Sequence, residues 1–257
     1  MSYKRSKYFT TSGNRKIKYF FSKKDSEITV VFFHGFMSDM IGEKPKSIEK
    51  FCNRNKLSFL KFEYSGHGKS SGKFIKGNIS KWTNEAKELI RSKLKKRNKL
   101  IFIGSSMGSW IALNLFQVFK KKLKGFIGIG SAPEFLENLI WNKFNKKIKK
   151  IILAKKMYNL EHGEFVYPIT RQLIFDGRKN RVLNNKINLK ISVTLFHGKK
   201  DNVVPVNYSR KIFKFCKKSE KKLILVKNGQ HRLSRKSDLK KICSELNLII
   251  KKLDKTK

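Results

Sequence analysis

The sequence predicts an α/β fold: a mostly parallel central sheet flanked by helices. Apolar runs of β type recur at 28–34, 57–64, 99–104, 124–130, 191–197 and 222–227, and most alternate with helical patterns at 43–55, 79–96, 107–120, 206–217 and 237–253. Strands that alternate with helices form crossover units, and a crossover makes neighbouring strands parallel. The length of 257 residues suits one large domain, and no repeat, low-complexity linker or Pro/Gly-rich boundary divides it. We therefore expect a single domain over 1–257.

The first expected element is an antiparallel N-terminal hairpin, Lys7 to Thr11 and Lys16 to Ser22. The run ITVVFFHGF follows and ends in His34-Gly35-Phe36. LIFIGSSMGSWIALNLF reads as strand, sharp turn and helix with Ser106 at the apex. The alternation is interrupted at 133–188, too long a stretch for an ordinary loop. There Leu136, Ile140, Phe144, Ile148 and Ile152 recur every four residues, with Lys143, Lys146, Lys147, Lys149 and Lys150 largely on other faces. That spacing predicts one amphipathic helix. It suits a cap over the serine with an apolar acyl pocket, a helix packed on the core, or a basic helix lying on a membrane.

A serine hydroxyl is a poor nucleophile at neutral pH, so chemistry at Ser106 needs a base beside it and amide donors for an oxyanion. Gly104 and Gly108 permit the strained turn that lifts the side chain clear of the sheet. The chain has five histidines. In sheet hydrolases of this kind the order along the chain is nucleophile, acid, base, so His34 and His67 fall out. His34 then reads as a turn residue beside the site and His67 as a loop-shaping one. His162 lies in the insertion and His197 ends a β run. His231 follows the strand-like LILVKNG and precedes the last helix, which makes it the best base.

Six aspartates narrow the acid in the same way. Asp201, in HGKKDNVVP, lies just past a strong β run and is preferred; Asp176, in the insertion, is the rival, and Asp238 reverses the order. The backbone N–H groups of Phe36 and Met107 are the expected oxyanion donors, one after an early strand and one at a helix start, where amides are unpaired. Four strand ends thus bring chemical groups to one sheet edge, where open α/β sheets bind ligands.

Other motifs fail. Gly68-Lys69-Ser70 resembles the end of a phosphate-binding loop, but Glu63 stands where that loop needs glycine. No HExxH spacing occurs, and neither cofactor nor metal is expected. The net charge of +43 raises nucleic acid as a partner. However, 50 of the 61 basic residues are lysine and they spread along the whole chain, whereas base and phosphate recognition favours arginine. We expect salt-sensitive adhesion to polyanions and no specific nucleic-acid binding. Cys52, Cys216 and Cys243 are odd in number and widely spaced, which suits a reducing compartment. Without an apolar run of about 18 residues or a signal-peptide pattern, no transmembrane segment is expected and the default location is cytoplasmic. Nothing in the sequence sets the oligomeric state.

The chain resembles the α/β-hydrolases, and more narrowly the subgroup containing the mitochondrial palmitoyl-protein thioesterase and acyl-glucuronide esterase with their bacterial relatives. The resemblance runs from about residue 29 to 243 and rests on FHGFMSDMIGEKPKSIEKFC, FEYSGHGKSSG, GSSMGSWIALNL, YPITRQLIFDGR, LFHGKKDNVVP and QHRLSRKSDL. It implies Ser106 as nucleophile, Asp201 as acid and His231 as base, and hydrolysis of a small-molecule or S-acylated ester or thioester through an acyl-enzyme. Two departures stand out: Gln230 precedes the base where relatives often carry an acidic residue, and residues 135–160 match poorly. A reading from another class is a non-catalytic hydrolase-like protein that holds an anionic partner on its basic surface.

Overall fold

Eight strands form one sheet in the order β1-β2-β4-β3-β5-β6-β9-β10. The computed structural model describes residues 6–162, 165–183 and 188–254; the start of the chain and the insertion positions 163–164 and 184–187 lie outside the described residues. β1 (Lys7–Thr10) and β2 (Lys16–Ser22) form the expected antiparallel hairpin, and β2 pairs antiparallel with β4 (Ser58–Phe62). From β4 onward every pairing is parallel, through β3 (Ile28–Phe33), β5 (Lys99–Ser105), β6 (Leu123–Ile129), β9 (Ser192–Gly198) and β10 (Glu220–Val226). The chain passes from β3 to β4 on one side and then crosses back to β5 on the other. The strand order therefore reverses between β3 and β5, and such a reversal opens a crevice at the carboxyl ends of the two strands.

Strand period splits the interior into two cores. On β5, Leu100 and Phe102 join one cluster while Ile101 and Ile103 join the other. The first cluster takes in α2 (Ile79–Lys93) and α3 (Met107–Asn114); the second takes in α1 (Glu43–Arg54) and α7 (Lys236–Asp254). Because both faces are covered, all six residues of β3 are buried, which is why ITVVFF reads as a continuous apolar run. α2 begins where Asn78 accepts a 2.8 Å hydrogen bond from the Lys81 amide, a side-chain cap for an otherwise orphaned donor.

α2 and α3 stop at least three residues earlier than their patterns suggest. α2 ends at Lys93 because Leu94 is extended (ψ 140°), and α3 ends at Asn114, with turns carrying the chain to Leu123.

The largest correction concerns the insertion between β6 and β9. In place of one amphipathic helix there is a π turn at Leu136–Ile140, a 3-10 turn at Trp141–Lys143, and then α4 (Lys146–Lys155). The break is local. Phe144 turns extended (ψ 138°), burying its ring against Tyr158 at 5.6 Å, and Asn145 caps a new helix by accepting from the Ile148 amide at 2.9 Å. A second hairpin, β7 (Met157–His162) and β8 (Phe165–Thr170), forms its own two-stranded sheet. α5 (Arg171–Lys179) follows, capped by Thr170. Tyr158, Leu160, Tyr167 and Ile169 all pack on the first core cluster, as alternation on a half-buried hairpin requires. α6 (Asn207–Phe215) lies between β9 and β10.

Candidate active site

β5 delivers Ser106 through a backbone that few residues adopt, with φ 52° and ψ −119°. The surrounding glycines are a matter of space. A Cβ on Gly104 would sit 2.5 Å from the Ser109 Cα, and one on Gly108 would sit 2.2 Å from the Phe33 carbonyl oxygen. The elbow is pinned from the neighbouring strand, because the Ser106 amide donates to the Ile129 carbonyl at 2.9 Å. Behind it, Ser131 donates to the Ser109 hydroxyl at 2.9 Å and Ser109 donates to the Gly104 carbonyl at 2.7 Å.

The three residues expected to act together meet. His231 Nε2 lies 3.1 Å from Ser106 Oγ, and His231 Nδ1 lies 2.8 Å from Asp201 Oδ2. A carboxylate only accepts, so Nδ1 carries the imidazole hydrogen, and the Nε2 lone pair is left to accept from the serine hydroxyl. The other Asp201 oxygen accepts from the Val203 and Val204 amides at 2.9 and 2.8 Å, which fixes the loop after β9. The carboxylate is buried, which alone would raise its pKa. Hydrogen bonds from His197 and His231, the charge that His231 can carry and the Val204 amide outweigh burial and hold it well below the usual carboxylate range. Asp201 is therefore an anion at neutral pH.

Met107 is the first residue of α3, so its N–H has no partner within the helix and faces the end where the dipole favours negative charge. Phe36 follows β3, and the loop passes against the elbow: a Cβ on Gly35 would touch the Ser106 Cβ at 3.5 Å. The Phe36 ring packs edge-on against Phe74 (5.1 Å) and Phe135 (5.3 Å) and lies 5.9 Å from Tyr167. Two of these three partners, Phe135 and Tyr167, belong to the insertion, which thus reaches the site. A cavity of about 170 Å³ lies beside this loop, lined by Met37, Ser38, Gly66, His67, Gly68 and Phe74. A larger one of about 470 Å³ opens at the opposite edge, where β5 and β6 begin, and is walled by lysines such as Lys95 and Lys121.

The rejected candidates have structural partners. His34 is buried; its Nδ1–H donates to the Gly35 carbonyl at 2.8 Å and its Nε2 accepts from the Tyr64 amide at 3.4 Å. Burial lowers its pKa to about 4, against a smaller opposing effect of the Gly35 carbonyl. His67 stacks edge-on with His34, Phe74 and Trp82, and burial, with His34 adding to it, lowers its pKa to about 3. Both rings stay neutral and serve as struts under the Phe36 loop. Asp176 accepts from the Ser80 amide at 2.8 Å in the first turn of α2, and Asp238 is bound by Arg235 at 2.8 Å. His162 ends β7 in the insertion.

Sequence reasoning misses the residues that brace the His231 loop. Lys44 donates to the Arg232 carbonyl and, at 3.1 Å, to the Ser234 hydroxyl, so α1 grips the loop that carries His231. Burial and the nearby Arg232 charge lower its pKa to about 8, with Asp238 opposing. Arg235 ties the same loop to the Asn228 carbonyl at 2.8 Å. No catalytic motif marks these residues: Lys44 is one of 50 lysines spread along the chain, and Arg235 stands in no recognisable pattern of that kind. His197 does carry a signal, the HGKKD context that it shares with Asp201. Among the described residues no group of three or more His, Cys, Asp or Glu side chains could hold a metal, and no helix is long and apolar enough to cross a membrane.

The parallel sheet with its antiparallel N-terminal hairpin and its serine elbow at a strand end define an α/β-hydrolase. The serine aminopeptidase family S33 (Hydrolase_4) matches residues 24–164, more than half of the chain, and the chain belongs to it. It is similar to the mitochondrial palmitoyl-protein thioesterase ABHD10 of Bos taurus, with 28% identity over 227 residues, 87% of this chain and 73% of that protein. Among solved structures it is similar to a putative hydrolase from Agrobacterium vitis, at 29% identity and TM-score 0.90 over 96% of this chain and 98% of that one. Mouse alpha/beta hydrolase domain-containing protein 10 is also similar, at 25% identity and TM-score 0.87 over 97% and 99%. The protein is thus a hydrolase with palmitoyl-protein thioesterases among its relatives, and the likeness read from its motifs holds.

Proposed function

We propose that the protein cleaves a carboxylic thioester or ester by passing the acyl group first to Ser106 and then to water. The observation that carries this reading is the unbroken hydrogen-bonded line from Asp201 through His231 to Ser106, at 2.8 and 3.1 Å. His231 Nε2 takes the hydroxyl proton as Ser106 Oγ attacks the carbonyl carbon, and the ionised Asp201 stabilises the imidazolium that forms. The amides of Phe36 and Met107 receive the oxyanion; each such donor contributes on the order of 100-fold to 1000-fold in rate. The imidazolium then protonates the leaving thiol or alcohol. Water enters, gives its proton to His231 and attacks the acyl-serine, and collapse returns the proton to Ser106 Oγ and releases the acid.

Residues 133–188 serve in this reading as the cap of a single-domain enzyme. The apolar wall of Phe36, Phe135 and Tyr167 supports an apolar acyl group, and the thioesterases among the relatives support a thioester as the preferred bond. The three cysteines, none of them in a disulfide, support a reducing compartment such as the cytoplasm. A fluorophosphonate probe tests the central claim: it labels the native protein and leaves Ser106→Ala unlabelled. A folded native protein that takes no label overturns the reading. Initial rates on p-nitrophenyl esters and S-acyl thioesters of equal chain length rank the substrates, and a higher kcat/KM for oxygen esters overturns the thioester preference.

A further inference from the structure

His197 carries no role in the acyl transfer, yet it is fully buried at the end of β9 and every polar atom of its ring is engaged. Nε2 lies 2.8 Å from the Val204 carbonyl and 3.3 Å from Asp201 Oδ2, the same oxygen that meets His231. Both neighbours accept, so Nε2 bears a hydrogen. Nδ1 lies 2.8 Å from the Ser209 hydroxyl on α6; in the neutral ring that hydroxyl donates to it. A leucine or phenylalanine would fill the same volume without needing partners, whereas a buried imidazole costs free energy unless each nitrogen is satisfied.

We infer that His197 is a positioning residue for the acid: anchored by Ser209, it holds the Asp201 carboxylate and the 201–204 loop in the orientation that presents Oδ2 to His231. The inference rests on the proposed role of Asp201 for its catalytic meaning, but its geometric content does not. Oδ1 is already committed to the Val203 and Val204 amides. Those bonds tether one end of the carboxylate and leave rotation about it open. The Nε2–H of His197 adds a donor on the other oxygen and also braces the Val204 carbonyl, closing the loop on itself. At 3.3 Å, against 2.8 Å for His231, it gives that oxygen a second, longer contact and so limits its rotation. The charged or titratable neighbours of His197 in this arrangement are Asp201 itself and, through it, His231.

The test compares His197→Leu, which removes the donor, with His197→Gln, whose side-chain amide can replace Nε2–H. Three quantities are read: kcat and KM on p-nitrophenyl acetate, the acidic limb of the pH profile, and the titration of His231 by NMR. His197→Leu is expected to lower kcat about 10-fold to 100-fold, as small misplacements of catalytic groups do, with KM within about twofold. The acidic limb and the His231 titration both move to lower pH, because a swung carboxylate supports the imidazolium less well. His197→Gln recovers most of kcat and returns the titration toward its native position. A folded His197→Leu protein with native kcat and native His231 titration overturns the inference. So does a loss of kcat that His197→Gln fails to rescue and that leaves the titration unmoved, since that pattern reports general disorder. If His197→Leu does not fold, Ser209→Ala is read in its place: it keeps the imidazole, loosens its anchor and shifts the titration in the same direction by less, and an unmoved titration overturns the inference. The NMR measurement needs no turnover, so it stands even if Ser106→Ala retains activity and the acyl-enzyme reading fails.

Discussion

The sheet edge and the insertion above it are built on different terms. At the edge, position is set by directional hydrogen bonds to backbone groups: Ser106 hangs from the Ile129 carbonyl, Asp201 from two amides, and the His231 loop is held where the Lys44 and Arg235 side chains donate to its carbonyls. In the insertion, position is set by rings and aliphatic chains, such as Phe144 on Tyr158 and Tyr167 near Phe36. Directional bonds demand particular residue types at particular places, and apolar contacts demand only volume and period. Changes at the edge should therefore cost rate without stability, and changes in the insertion should cost stability without chemistry.

The strongest test of that contrast is Ser106→Ala. Hydrolysis should fall by about a million-fold, while the midpoint of urea unfolding stays within error of the native protein; a large loss of stability would put the serine among the structural residues. Next comes Asp201→Asn, which keeps the shape of the side chain but no longer stabilises the imidazolium, and kcat should fall by about 10⁴-fold. A deficit of less than tenfold in steady-state assays would remove Asp201 from the line.

The struts under the Phe36 loop give an effect of intermediate size. Burial lowers the pKa of His34 to about 4 and of His67 to about 3. Between about pH 6.5 and pH 4 the unfolded chain binds protons on these rings that the folded protein does not, so stability is lost as pH falls through that window. Each ring contributes on the order of 3 kcal/mol to that loss. His67→Phe should flatten the slope of unfolding free energy against pH by about half, as urea titrations at several pH values would measure, and an unchanged slope would exclude His67 as its source. The smallest effect belongs to the insertion. Asn145→Ala removes the cap of α4 and should cost about 1 kcal/mol of stability, with fluorophosphonate labelling at the native rate; slower labelling would mean that the break at Phe144 shapes the site.

The same contrast explains which features are legible in the sequence and which are not. Gly104, Ser106 and Gly108 are readable because the elbow tolerates nothing larger at the two glycines. Asp201 and His231 are readable because few residues of either type exist and each follows a β run. The break at Phe144 is not readable. Period four continues through it, and only the burial of that ring against Tyr158, a residue 14 positions on, favours the extended backbone over another helical turn. The β7–β8 hairpin is hidden for a different reason, since both strands are short and Pro168, which lacks an amide donor, stands inside the second. α3 stops at Asn114 though its apolar pattern runs on, because tertiary packing fills those positions from turns.

His231 and Ser106 are 125 residues apart in the chain, and the serine amide is held by β6, a strand that follows it. The loops bearing Asp201 and His231 leave β9 and β10, which enter the sheet on the far side of β6. Contacts of such long separation close late, after the loops between them have lost their freedom. On the proposed mechanism, activity is therefore a readout of completed assembly. In refolding, labelling by fluorophosphonate should return only as β9 and β10 dock, well after the helices have formed, so that a half-folded chain carries the serine but remains chemically silent.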